Sequence, residues 1–196
     1  MPGVRGSDGR LRGGLRGDEI MAPIGERMTE ALNEQAKWEL FSSYLYLAMS
    51  AYFSATKLPG FATWMRVQAQ EELMHGMKIF DYVIERGGRA ELLAIDKPQF
   101  EWGSPLEVAE AVYSHEKKVT GLINGLVDLA AKEGDHATLN MLQWFVSEQV
   151  EEEANASEIV EKLKMVSGDK GIGVLYMLDR DLGGRPPKLA PVAAAK

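Results

Sequence analysis

Apolar residues between Glu26 and Leu182 recur at steps of three and four, the period of helices that bury one face, and no stretch alternates in the two-residue rhythm of a strand. A first long helix is predicted from Glu26 to Ala55, with Leu32, Ala36, Leu40, Tyr44 and Leu47 as apolar steps. Lys57-Leu58-Pro59-Gly60 breaks it, and Pro59 suits the first turn of a second helix running to Glu85, where Gly87-Gly88 stops it. A connection follows from Arg89 to Gly103, with Pro98 inside it. Ser104-Pro105, then Glu107, reads as the cap and first turn of a third helix ending near Lys132. Gly134-Asp135 is a tight turn, with Asp135 capping a fourth helix that ends near Ser167-Gly168. A short helix, Ile172 to Leu182, and a Gly/Pro/Ala-rich tail complete the chain. Methionines Met49, Met65, Met74 and Met77 are expected to fill the core.

The connection lengths dictate a topology. Short links force helices one and two, and likewise three and four, to run antiparallel, whereas the long connection lets helices two and three run parallel. Fifteen residues suffice for that crossover, since extended chain gains about 3.3 Å per residue against roughly 1.5 Å in a helix. The expected fold is all-α, a four-helix bundle with a long crossover between helices two and three and a short fifth helix.

Carboxylates are laid over these helices at repeated intervals. Glu39 precedes Glu72 by 33 residues, and Glu72 opens a Glu-x-x-His75 pair. Glu116 precedes Gln149 by the same 33, and Gln149 opens a Gln-x-x-Glu152 pair. One shift of 77 residues carries the first set onto the second, and also carries Glu71 onto Glu148. In an antiparallel hairpin, residues equidistant from the turn share a height. The midpoints fall near residues 56 and 133, beside the turns that Gly and Pro mark independently. Residues three apart share a helix face, so all four helices bring polar groups to one level. Taken alone, Glu116 beside Lys117-Lys118 would read as solvated; the repeated interval argues for burial instead. Buried ionised carboxylates repel unless cations neutralise them, and Glu39, Glu72, Glu116 and Glu152 carry the charge of two divalent ions.

Composition narrows the chemistry. The 196 residues suit one domain, and the net charge of -7 argues against nucleic acid as a partner and suits a cation. No cysteine is present, so disulfides, thiolate zinc sites, iron–sulfur clusters and cysteine nucleophiles are excluded. An oxygen and imidazole donor set suits iron or manganese, with zinc as a competitor. The most apolar stretch, Tyr44 to Phe53, is well short of the roughly 20 residues a membrane span needs. Residues 1–24 carry several arginines and glycines and no secretory apolar core; they are expected to be a disordered leader, with 25–183 the domain, 184–196 a flexible tail, and the protein cytoplasmic. His115 and His136 are expected at the surface.

The segments Leu32-Asn-Glu-Gln, Glu39-Leu-Phe-Ser-Ser-Tyr-Leu-Tyr46, Gln70-Glu-Glu-Leu-Met-His75, His115-Glu116 and Leu142-Gln-Trp-Phe-Val-Ser-Glu-Gln-Val-Glu-Glu-Glu153 together resemble the non-haem ferritins of bacteria and archaea, over roughly Glu26 to Leu182. The resemblance implies that Glu39, Glu72 and His75 bind a first iron, with Glu72 bridging, and that Glu116 and Glu152 complete a second with Gln149 close by. It also implies a third iron position at Glu71, Glu148 and Glu151, and a site-adjacent role for Tyr46 and Trp144 in supplying an electron. Its further implications are oxidation of Fe(II) by dioxygen, storage of ferric oxide-hydroxide, a homo-oligomeric shell of 24 subunits, and no haem. Glu151-Glu152-Glu153 also reads as an exposed acidic run, Tyr46 as a core residue, and Trp144 as volume filling.

Two rival readings share the fold. A bacterioferritin carries Glu-x-x-His in both halves, where this chain has Gln149-x-x-Glu152 in the second. A rubrerythrin-type peroxidase usually adds a cysteine-rich module that a cysteine-free chain cannot build.

Overall fold

The computed structural model describes residues 23–166 and 171–184. These residues form five helices in chain order: α1 (Glu26–Ala55), α2 (Pro59–Glu85), α3 (Pro105–Glu133), α4 (His136–Lys164) and α5 (Gly171–Gly183). No strand occurs among the described residues. The expected fourth-helix end at Ser167-Gly168, the leader as far as residue 22 and the tail from residue 185 lie outside them.

The helix ends follow local chemistry. Ser104 Oγ accepts from Glu107 N at 3.1 Å, while Glu107 returns a carboxylate oxygen to Gly103 N at 2.7 Å, so the start of α3 is tied from both sides. Asp135 Oδ1 accepts from Thr138 N at 3.0 Å and caps α4. Gly134 closes α3 at φ +69°, a left-handed conformation that glycine adopts without a Cβ penalty.

Two apolar clusters lie along the bundle. One gathers Leu45, Met49, Phe53, Phe61, Trp64, Met65, Val108, Val112, Ile159 and Val160. The other gathers Met28, Leu32, Ile79, Val83, Val119, Ile123, Leu142 and Phe145. Their order along each helix gives the direction of travel. Helices α1 and α4 run from the second cluster to the first, and α2 and α3 run from the first to the second. The bundle is therefore up-down-down-up, with α2 and α3 parallel. The crossover is fastened to α1 by Asn33, which donates to Arg89 O at 3.0 Å and accepts from Glu91 N at 3.2 Å.

Between the two clusters each helix presents polar residues to the interior: Glu39 and Ser42, Glu71, Glu72 and His75, His115 and Glu116, Gln149 and Glu152, all buried. This polar layer also corrects the predicted α1 stripe. Tyr44 and Leu47 are 53% and 47% exposed, and the inward positions are Ser42, Leu45, Tyr46, Met49 and Phe53. With polar residues inside and apolar ones outside, α1 has no clean amphipathic contrast to read. Met49 and Met65 are fully buried as expected, but Met77 is 43% exposed and lies outside the core.

Candidate metal centre

Glu39, Glu72, Glu116 and Glu152 retain 1–3% of their surface, and desolvation this deep opposes the charged form of a carboxyl. Burial, then the neighbouring Glu72, holds the Glu39 carboxyl well above its ordinary value. Glu72 is raised by burial and next by Glu116, which places carboxyls from α2 and α3 within electrostatic reach of each other. Glu116 is raised by burial, and hydrogen bonds from Tyr46 and Gln149 partly offset this. Burial thus favours the protonated form of Glu39, Glu72 and Glu116 in the absence of a neutralising cation.

The tightest convergence is at Glu39, Glu72 and His75, each offering a donor atom within 4.8 Å of the others. It is the one such group of His, Asp or Glu donors among the described residues. His75 Nδ1 stands 4.0 Å from Glu39 Oε2 and 3.6 Å from Glu72 Oε2. Oε2 of Glu39 meets no donor, so it is satisfied by a proton shared with Glu72 or by a positive ion. Buried carboxylates and one imidazole, without sulfur, form a donor set that fits iron.

The α3 and α4 half is bonded differently. Tyr46 is fully buried and donates its hydroxyl to Glu116 Oε1. Gln149 donates to Glu116 Oε2 at 3.1 Å and to the Glu116 backbone carbonyl at 3.2 Å. Both carboxylate oxygens of Glu116 are thus hydrogen-bonded, whereas Glu39 keeps one facing His75. Around His75 the ring edges of Trp144 and Phe145 pack at 5.2 and 6.0 Å, and Lys78 Nζ lies 4.2 Å above the Trp144 ring. Trp144 is 38% exposed, so this wall faces outward.

The residues predicted as a third iron position are not gathered in the same way. Glu71 is buried, Glu148 half-buried and Glu151 exposed, and they form no compact donor group with one another. Within Glu151-Glu152-Glu153 only Glu152 is buried, because one residue in three of that turn faces the bundle.

His115 is buried rather than at the surface, and this overturns the expectation for it. Its Nε2 lies 2.7 Å from Ser42 Oγ, whose own hydroxyl reaches Trp38 O at 3.0 Å. With that proton committed, Nε2–H donates to Ser42, and burial pushes the His115 pKa down to about 4. Gln35 and Gln68 were not singled out either. Gln35 Nε2 donates to Glu39 Oε1 and Gln68 Nε2 to Glu152 Oε2, each at 2.8 Å. A sequence signal existed: Gln-x-x-x-Glu at 35–39 recurs at 68–72, again after 33 residues.

Acids and an imidazole delivered by all four long helices to one buried level define a carboxylate-rich, metal-binding four-helix bundle. Residues 29–166 match the ferritin-like domain. The chain is 49% identical over 162 residues to a bacterial non-haem ferritin of Bacteroides fragilis, with 83% of this chain and 99% of that one covered. It is 36% identical over 162 residues to the non-haem ferritin of Staphylococcus aureus, covering 83% and 96%. An open-pore ferritin from the archaeon Archaeoglobus fulgidus superposes with a TM-score of 0.81 at 55% identity, covering 83% and 99%. The chain belongs to the ferritin family, among its non-haem members. Among the described residues, no helix is long and apolar enough to cross a membrane.

Proposed function

We propose that this iron-storage ferritin subunit oxidises Fe(II) with dioxygen at a two-iron centre inside its bundle, and stores the product as ferric oxide-hydroxide in a hollow homo-oligomer of 24 cytoplasmic subunits. The observation that carries the reading is the buried layer of Glu39, Glu72, His75, Glu116, Gln149 and Glu152 between two apolar clusters. Such a layer costs stability in a protein that has no cation to put there.

In this reading Glu39, Glu72 and His75 hold one iron, and Glu116 and Glu152 hold the second with Gln149 beside them. Two Fe(II) give one electron each to one dioxygen, so holding them as a pair matches the oxidant's demand. Hydrolysis of the ferric product releases protons, and hydrogen peroxide is the reduced product when one pair reacts with one dioxygen. Tyr46 keeps its hydroxyl on Glu116 and stands ready to supply an electron, and the electron-rich Trp144 ring lies against His75. Glu71, Glu148 and Glu151 are assigned to a third iron position beside the centre. The folded domain is taken as 25–183, with leader and tail outside it. Exposed apolar side chains on α1, α2 and α5, Tyr44, Leu73, Ile84 and Tyr176 among them, supply surface for contacts between subunits.

The test mixes metal-free protein with Fe(II) in air and follows ferric absorbance, proton release and particle mass. A large particle retaining many irons per chain is expected, with oxidation lost in Glu72→Gln. A small species that holds only two irons per chain and turns over peroxide would sink the storage reading.

A further inference from the structure

Gln35 and Gln68 are buried to 3% exposure, and each spends an amide N–H on a carboxylate of the candidate centre. The internal repeat of the bundle does not require them. The 77-residue shift that relates the two halves carries Gln35 onto Val112 and Gln68 onto Phe145, both of which sit in the apolar clusters. An apolar side chain therefore satisfies the packing at the equivalent positions, and burying an amide instead is unfavourable unless its polar atoms are used. Gln68 illustrates the cost, since its Oε1 is buried without a partner.

We propose that Gln35 and Gln68 are positioning residues that decide which oxygen of a terminal carboxylate faces the metal. The proposal rests on the two-iron reading above. At Glu39 the amide occupies Oε1, and Oε2 is left without a donor on the side of His75 and Glu72. A buried carboxylate with both oxygens free can take a metal through one or both, and the choice changes how many coordination positions remain for the second reactant. Gln35 removes that choice by keeping Oε1 engaged, so Glu39 binds through Oε2. Gln68 does the same from α2 for Glu152 on α4, holding Oε2 at 2.8 Å across the helix–helix boundary. Hydrogen bonds of this kind to ligating groups commonly change metal affinity by about 10- to 100-fold when removed.

The experiment titrates metal-free protein with Co(II) under anaerobic conditions, reading affinity by calorimetry and coordination by the visible d–d bands. Gln35→Met keeps the length of the side chain and removes the donor. It is expected to weaken Co(II) binding about ten-fold or more and to change the band intensities. In a Glu39→Ala background the same substitution should add less than two-fold, because the amide then has no carboxylate to hold. Equal losses in both backgrounds, or unchanged bands and affinity in Gln35→Met, overturn the proposal while leaving the two-iron reading intact. A native protein that binds no Co(II) overturns both. Gln68→Met, which acts on Glu152 from another helix, supplies an independent case should Gln35→Met fail to fold, and circular dichroism and particle size identify that outcome.

Discussion

Glu39 and Glu72 hold their protons to higher pH in the folded chain than the ordinary 4.5, chiefly because burial disfavours their charge. A carboxyl raised in this way binds its proton more tightly folded than unfolded. Its contribution to stability is full below pH 4.5 and is lost as pH rises through the folded value. Metal-free protein is therefore expected to lose part of its thermal stability as pH rises from 4.5 through the raised folded values, and added Co(II) should restore it, as differential scanning calorimetry with and without chelator would measure. Glu72→Gln should raise the metal-free melting temperature, by an amount equivalent to about 1–2 kcal/mol, while removing metal binding. His115 works in the opposite sense. Its folded pKa of about 4 lies below the ordinary 6.5, so its contribution is present above pH 6.5 and fades as pH falls toward 4. Urea midpoints for His115→Gln, which keeps a donor for Ser42, should fall less between pH 7 and 4.5 than those of the native chain.

At the scale of elements, α5 packs on the start of α2, with Leu178 in the apolar cluster and a polar contact beside it. Asp179 is buried, and its Oδ1 accepts from Phe61 N at 2.9 Å, so a residue of one helix caps another. Gly60 permits the approach, because a Cβ there would lie 1.6 Å from the Asp179 carbonyl oxygen. Gly60→Ala is expected to push α5 off the bundle, and Asp179→Ala to cost about 1 kcal/mol by removing the cap. Hydrogen exchange would report both, as faster exchange in α5 and the first turn of α2 with the far end of the bundle unchanged. Exchange that remains slow in α5 of Gly60→Ala would contradict this account of its attachment.

For the whole molecule, the bundle exposes more large apolar side chains than its interior demands. On α1 and α2 these include Tyr44 at 53%, Leu47 at 47%, Leu73 at 47% and Ile84 at 52% exposure. Surfaces of this kind are normally covered by other chains. The double substitution Tyr44→Glu with Leu47→Glu places charges in that surface without entering the core, and light scattering should find smaller particles that remain helical. Unchanged particle mass would show that this face lies outside the contacts between subunits.

Helix boundaries were legible because they depend on nearby residues: Ser104, Gly134 and Asp135 cap or terminate helices through bonds that span three or four positions. The buried level of carboxylates was legible for a related reason. Equal 33-residue intervals across short turns set heights in a hairpin before any packing is known, and Glu39, Glu72, Glu116 and Glu152 are all buried. Periodicity could not say which side of α1 faces inward, since Gln35, Glu39 and Ser42 make the interior face polar while Tyr44 and Leu47 make the exterior apolar. Nor could it show that His115 turns toward Ser42, that Gln68 reaches Glu152, or that Asp179 caps α2, pairs separated by 73, 84 and 118 residues. Heights along a helix are set by local geometry and are written in the spacing of residues. Rotation about the helix axis, and the partner met across a gap, are settled only when the helices press against one another and each buried polar atom must find a match.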